Sequence, residues 1–321
     1  MDVISLYYFS ELAKDLHMTR TANRLFISQQ TLSNHIQRLE EYYGVQLLHR
    51  KPTLSLTCAG EFVLAFADIV NKEQSNLKDI LSDIEQQERG LLRFGASTLR
   101  MNACLPHILP EFSARYPNVE LRITDTISSK LEPMVLDGEL DMAIVLSGEA
   151  NSKLVDHHLM NDQIYLCVAD SLLTEYYGRD QAAEIKKSAQ QGASIKDFSQ
   201  LPFCMLSNRM GRRIQECFDE ARITPKAYLT STYTQISTSI CFQRLAACFA
   251  SQMSLVHQRS QIPDDINIFP LYHHNQLMVQ RLSLIRHKDR YLSHYSKFFL
   301  EILFQYFADT EQVHMERIVS D

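Results

Sequence analysis

Apolar residues recur at three- and four-residue spacing from the start of the chain. Leu6, Phe9, Ala13 and Leu16 predict an amphipathic first helix, with Asp2 placed to cap it. Thr19 is the expected cap of a short second helix that turns Ala22 and Leu25 inward, and Phe26–Ile27 form a tight connection. Ser28 then caps a third helix with Leu32, Ile36, Leu39 and Tyr43 inward, stopped by Gly44. Beyond Leu47–Leu48, the basic stretch His49, Arg50, Lys51 and Pro52 precedes Leu54 and Leu56, which alternate with Thr53, Ser55 and Thr57. That alternation predicts a hairpin with a basic tip.

A second regime runs from Ala59 to about Glu88, without proline and, after Gly60, without glycine. Val63, Val70, Leu77 and Ile84 fall seven apart, with Phe66 and Ile80 in complementary positions and Glu73 interrupting. This is the seam of a helix that pairs with its own copy. Gly90 opens a third regime of short strands alternating with helices. Strands are expected at Leu91–Ser97, Val119–Asp125 and Asp141–Leu146, and helices at Asn102–Tyr116 and Ser129–Leu136, a parallel sheet covered by helices. Further strands are expected at Ile164–Ala169, Pro202–Ser207 and Ala227–Ser231, with a helix over Gln235–Cys248. Residues 172–200 read as a polar insertion, an extra helix and a mobile loop. The chain returns through Ile266–Leu271 and Arg281–Arg286. A last helix carries Phe298, Phe299, Ile302, Leu303 and Phe307, and a polar tail follows Asp309.

Composition narrows the function classes. The 321 residues exceed one ordinary core and predict two or three compact units. No apolar run is long enough to span a bilayer, and the start lacks the form of a signal peptide, so a cytoplasmic protein without a membrane partner is expected. The seven cysteines are scattered, with no C-x-x-C pair, which argues against disulfides or a zinc knuckle. The doublets His157–His158 and His273–His274 would face opposite ways on a strand, so no metal site is expected. No nucleophile elbow, zinc-protease motif, phosphate loop or dinucleotide fingerprint is present, and neither an enzyme nor a bound cofactor is expected. The net charge of −6 offers nothing to nucleic acid. Pattern speaks for it instead. The outer face of the third helix begins Gln29, Gln30, Ser33, Asn34 and Gln37, amides and hydroxyls suited to base edges in a major groove.

The runs TRTANRL at 19–25, ISQQTLS at 27–33, IQRLEE at 36–41, GVQLL at 44–48, Arg50 and LTCAG at 56–60 closely resemble the DNA-binding signature of the LysR-type transcriptional regulators. The segments LLRFG at 91–95, LPEF at 109–112, YPNV at 116–119 and DGELDMAI at 137–144 resemble that family's effector domain. The resemblance implies an α/β protein: an N-terminal winged helix-turn-helix over 1–58, a linker and dimerisation helix over 59–89, and a two-lobed, periplasmic-binding-protein-like effector domain over 90–308. Its lobe I would comprise 90–163 and 264–308, its lobe II 164–263, and 309–321 would be tail.

The resemblance further implies that Gln29, Gln30, Thr31, Ser33 and Asn34 face bases or phosphates and that Arg50 and Lys51 belong to the wing. Thr19, Ser28 and Arg38 complete the expected contact set. The family often has proline at Gln30, arginine at Asn34 and glutamate at Cys58, and these departures bear on which operator is read. In the effector domain, Ser97, Thr98, Arg100, Thr126, Ser128, Ser129 and Ser207 are the expected contacts for a small effector between the lobes, where hydroxyls and free N–H groups could hold a carboxylate or similar anion. The stretch from Arg244 to Ser251 lacks the family's usual glycine, which makes close backbone approach to a ligand harder. The expected partners are a pseudo-palindromic duplex operator, RNA polymerase and further copies of the chain, as dimer and tetramer. Redox sensing through Cys204 and Cys217 is the rival mode of control, and an enzyme on a solute-binding-like fold is the remoter alternative.

Overall fold

The computed structural model describes residues 2–51, 53–84, 89–148, 150–313 and 315. The chain divides into two compact units, Met1–Glu88 and Arg89–Asp321.

In the first unit, α1 (Val3–Asp15), α2 (Met18–Arg24) and α3 (Gln29–Tyr43) close around Leu6, Phe9, Leu12, Ala22, Leu32, Ile36 and Leu39. Asp2 caps α1 as expected, accepting from Ser5 N–H at 2.8 Å. Leu12 fills the place assigned to Ala13 and Leu16, which are only half-buried. Leu16 instead closes the helix in the left-handed region at φ 45°. That early turn also displaces the expected cap of α2. His17, not Thr19, holds the cap position and accepts from Arg20 N–H at 3.2 Å, leaving Thr19 inside the helix.

The strands β1 (Leu48–His49) and β2 (Ser55–Leu56) form the expected hairpin, with Leu48 opposite Leu56. Pro52 at its tip lies outside the described residues. The helix α4 (Cys58–Ile84) starts against this hairpin. A Cβ on Gly60 would fall 2.1 Å from the Leu47 carbonyl oxygen, so only glycine allows the approach.

The helix α4 corrects the expected seam. Ala67 is buried, and Val63, Leu64 and Val70 pack on the core of their own unit, where α4 lies along α1. The exposed apolar stripe keeps Phe66 and Leu77 (53% exposed) from the expected seam but is completed by Phe62 (74%), Ile69 and Leu81. The side chain of Ile84 lies outside the described residues, as do residues 85–88.

The second unit begins with β3 (Arg89–Ala96), α5 (Thr98–Arg115), β4 (Asn118–Asp125), α6 (Ser128–Asp137) and β5 (Met142–Leu146). A single 16-residue strand, β6 (Leu154–Ala169), follows where only Ile164–Ala169 was expected. Then come α7 (Asp170–Tyr177), α8 (Arg179–Ala189), β7 (Pro202–Leu206), α9 (Arg209–Glu220), β8 (Lys226–Ser231), α10 (Thr234–Phe242), β9 (Ala247–Ser251) and α11 (Gln252–His257). The chain finishes through β10 (Ile266–Pro270), β11 (Tyr272–His273), β12 (Gln276–Leu277), β13 (Val279–His287) and α12 (His294–Glu311).

One sheet of 9 strands, in the order β4-β3-β5-β13-β6-β9-β7-β8 with β10 also on β6, runs through both lobes. Lobe I packs α5 and α12 on β3, β5 and β13 around Phe94, Phe112 and Phe299. Lobe II buries Phe203, Phe218 and Phe249 against one another.

Four expectations change in this unit. The stretch 172–200, expected as one extra helix and a mobile loop, instead holds most of α7, all of α8 and a 3-10 turn at Ile195–Phe198, and Leu172, Leu173, Ala182, Ile185, Ala193, Ile195 and Phe198 are buried in the lobe II core. Its apolar residues are spaced through a polar background, which hid their periodicity. The helix expected over Gln235–Cys248 stops at Phe242, and Ala247–Ser251 is a central strand. Arg244 makes the turn between them at φ 65° in place of glycine, held by both carboxylate oxygens of Asp265 at 2.7 and 2.8 Å. Ile266–Pro270 pairs with Tyr165–Ala169, so the return to lobe I comes at Val279 rather than near residue 264. Finally, the described residues after Asp309, 310–313 and 315, are held on the domain. Gln252 Nε2 donates toward the carbonyls of Thr310, Glu311 and Val313, and Met315 is buried on lobe II.

Candidate DNA interface and effector cleft

The side chains expected to meet DNA gather on the start of α3. Ser28 caps it, accepting from Thr31 N–H at 3.0 Å, and its hydroxyl also bonds the Thr31 hydroxyl at 2.8 Å. Thr19 donates to Gln29 Oε1 at 3.0 Å, which holds one end of that exposed amide. Gln30 and Asn34 are exposed and Ser33 half-exposed. Phe26, not singled out by sequence, stands 96% exposed at the turn before α3 with φ 55°. A large aromatic is rarely held so, and its only sequence signal is its place between two helix caps.

The cations around this face are already engaged. Arg24 pairs with Glu11 and, at 2.8 Å, with Asp15; Lys14 pairs with Glu11 at 2.7 Å; Arg20 lies 3.7 Å from Asp15 and Arg38 3.9 Å from Asp2. Arg50, at the end of β1, donates to Glu40 Oε2 at 3.1 Å, while Glu40 Oε1 accepts from Leu47 N–H at 2.9 Å. Lys51 is exposed beyond it. Much of the local positive charge thereby serves to hold the unit together.

In the second unit the carboxyl ends of β3, β4 and β7 lead into the starts of helices. Ser97 sits at the start of α5 and receives a 3.1 Å hydrogen bond from Arg100 Nη1. Arg100 is buried. Desolvation pulls its guanidinium down to about 10, with Asp162 as the counter-charge and Arg209 as a like charge. Asp162, also buried, accepts from Met253 N–H at 2.9 Å, yet burial still pushes its carboxyl up to about 6.

Arg209, the first residue of α9 in lobe II, donates to the carbonyls of Leu146 and Ser147 in lobe I at 3.4 and 3.1 Å. Ser207, at the end of β7, lies two residues before it. The other expected residues are partly committed elsewhere. Thr98 donates to Asp125 at 2.6 Å, and Ser128 Oγ accepts from Leu146 N–H at 3.0 Å. Thr126 N–H donates to the Ala96 carbonyl at 3.2 Å, and Ser129 is exposed on α6. The structure therefore joins Ser97 with Arg100, and sequence reasoning missed Arg209 and Asp162. No local motif marks either; they meet the site only through sheet topology.

The thiols proposed for redox control are buried. Desolvation pushes Cys204 up to about 12 and Cys217 up to about 11, and Cys217 donates to the Arg213 carbonyl at 3.2 Å.

A winged helix-turn-helix followed by a two-lobed α/β domain defines a DNA-binding regulator of transcription as a class. Residues 4–61 match the profile of the bacterial regulatory helix-turn-helix protein, lysR family, and residues 85–308 that of the LysR substrate binding domain. The chain belongs to the LysR family of transcriptional regulators. It is 30% identical over 233 residues to the HTH-type transcriptional activator IlvY of Salmonella typhimurium, covering 72% of this chain and 75% of that one. It is 28% identical to the regulator YkuM of Bacillus subtilis over 54% of this chain, a match that spans 62% of that relative's length. Among solved structures, a full-length OxyR variant from Pseudomonas aeruginosa superposes with a TM-score of 0.66 at 18% identity, over 99% of this chain and all of that one. CbnR bound to its target DNA gives 0.58 at 18%, over 95% of this chain and all of that one. At that identity the likeness concerns the fold. Among the described residues, no helix is long and apolar enough to cross a membrane.

Proposed function

We propose that this chain reads a pseudo-palindromic operator through the start of α3, as a dimer paired along α4, and that a small anionic effector between the lobes controls it. The observation that carries the DNA reading is the exposed amide row Gln29, Gln30 and Asn34, pre-set by Thr19 and Ser28. Asn and Gln bond bidentately to adenine, so adenine-bearing half-sites fit it. The stripe Phe62, Phe66, Ile69 and Leu77 on α4 is the surface for a second copy. Such pairing sets two α3 helices on successive half-sites.

For the effector, the supporting observation is the buried Arg100 beside Ser97, with Arg209 reaching over from the other lobe. Two guanidinium groups at the starts of α5 and α9 suit a carboxylate. Its binding shifts the lobes, alters how dimers assemble into a tetramer, and so changes the bound DNA and its contact with RNA polymerase. The thiol alternative has less support, because a buried, protonated thiol reacts slowly.

Footprinting on the promoter region of its own gene tests the DNA reading; protection of no segment would end it. A thermal-shift screen of carboxylate metabolites tests the effector, since a ligand of the fold raises the unfolding temperature. Mass spectrometry after mild oxidation tests the thiols: a Cys204–Cys217 linkage with changed DNA affinity would restore that reading.

A further inference from the structure

Lobe II carries a second constellation, on the last residue of α9. That helix starts at the cleft with Arg209, and its 12 residues put Glu220 at the far end, roughly 16 Å away along the axis. Glu220 Oε2 lies 2.9 Å from Nε2 of His273 and 2.9 Å from Nε2 of His274. The two imidazole centroids are 4.0 Å apart, and the three donor atoms lie within 4.8 Å of one another. They border a cavity of about 570 Å³ whose wall also holds Lys196, Cys217 and Tyr272.

A histidine doublet on a strand cannot converge, because successive side chains face opposite ways. Here the backbone removes that obstacle. β11 and β12 are joined by His274 and Asn275 at φ 52° and 58°, a two-residue turn with both centres left-handed. The turn swings the His274 ring to the side of His273. Asn275 suits that conformation; His274 adopts it less readily. The hairpin is braced from behind, since Tyr272 N–H donates to the Ala193 carbonyl at 3.0 Å and Ala193 N–H to the Pro270 carbonyl at 2.7 Å.

We infer that Glu220, His273 and His274 bind a divalent transition-metal ion of the zinc type. Two neutral imidazoles and one carboxylate are a three-ligand set that leaves the fourth position open. Tetrahedral zinc with donors near 2.1 Å sets them about 3.4 Å apart; the Glu220 oxygen, 2.9 Å from each nitrogen, draws back, and rotation of the exposed His274 ring sets the nitrogen-to-nitrogen spacing. The open position gives onto the cavity, where water or a small anion completes the shell. The site lies apart from the interlobe cleft and gives the regulatory domain a second input.

Titration of chelator-treated full-length protein with Co²⁺ tests the site, with native mass spectrometry counting ions. We expect one ion per chain, with the visible absorption of a four-coordinate nitrogen and oxygen site and no sulfur-to-cobalt band. His273→Ala with His274→Ala should weaken Zn²⁺ binding at least about a hundredfold, and Glu220→Gln about tenfold or more. His274→Asn removes a donor while suiting the left-handed turn, so its fold is preserved and it should weaken binding as well. Equal uptake by the wild type and these variants would overturn the assignment. So would a wild type that takes up no four-coordinate ion, or a sulfur-to-cobalt band that survives in the double variant.

Discussion

Glu40 shows how a single side chain on α3 sets the wing. One oxygen accepts from Leu47 N–H at 2.9 Å and more weakly from Leu48 N–H, and the other accepts from Arg50 at 3.1 Å. Glu40→Ala strands these donors and should destabilise the N-terminal unit by roughly 1–3 kcal/mol, read from urea unfolding. Glutamine at the same place, which keeps an acceptor, should lose less. The bases and the backbone are separable in the same way. Gln29→Ala or Gln30→Ala should reduce discrimination between operator and scrambled DNA. Arg50→Ala should weaken binding to both alike and reduce the salt slope by about 1, measured by anisotropy across a salt series. The reverse pattern would mean that α3 and the wing had exchanged roles.

At the scale of elements, α4 presents two faces with opposite duties. Leu77→Glu, on the exposed stripe, should shift sedimentation from dimer toward monomer while leaving unfolding of the first unit unchanged. Val70→Asp, on the face packed over α1, should unfold that unit instead. Equal effects from the two would remove the distinction. Periodicity revealed this helix but not which stripe faces its own domain, because both stripes are apolar and the choice depends on where α1 lies. Similar reasons divide what was legible elsewhere. The cap at Ser28, the stop at Gly44 and the hairpin are written in local chemistry and could be read directly. The cap at His17, the turn at Arg244 and the His274 turn use residues that rarely hold such places. Only one of the two helices α7 and α8 was expected, because their buried residues are few and widely spaced.

Across the whole second unit, the lobes share one sheet and a buried charge. Asp162 is pushed up to about 6 from an ordinary 3.8, burial being the largest cause. Between those values unfolding releases the proton. Stability from this group is therefore full below about 3.8 and is lost as pH rises through about 6. Asp162→Asn should lack that decline, a difference on the order of 3 kcal/mol between pH 4 and 7 in denaturant titrations. Parallel curves for the two proteins would show that the carboxyl is freely charged. The cleft itself was only partly legible. Ser97 and Arg100 follow a predicted strand, whereas Asp162 and Arg209 reach the site across distant turns of the chain.

The bridge from Arg209 to the carbonyls of Leu146 and Ser147 has a thermodynamic consequence. On the proposed effector reading it makes the chain its own competitor: an arriving anion would have to displace backbone oxygens that already occupy the guanidinium. A contact worth about 1 kcal/mol would raise the half-saturating effector concentration about fivefold. Part of the threshold at which this regulator responds would then be written in one arginine and two peptide carbonyls.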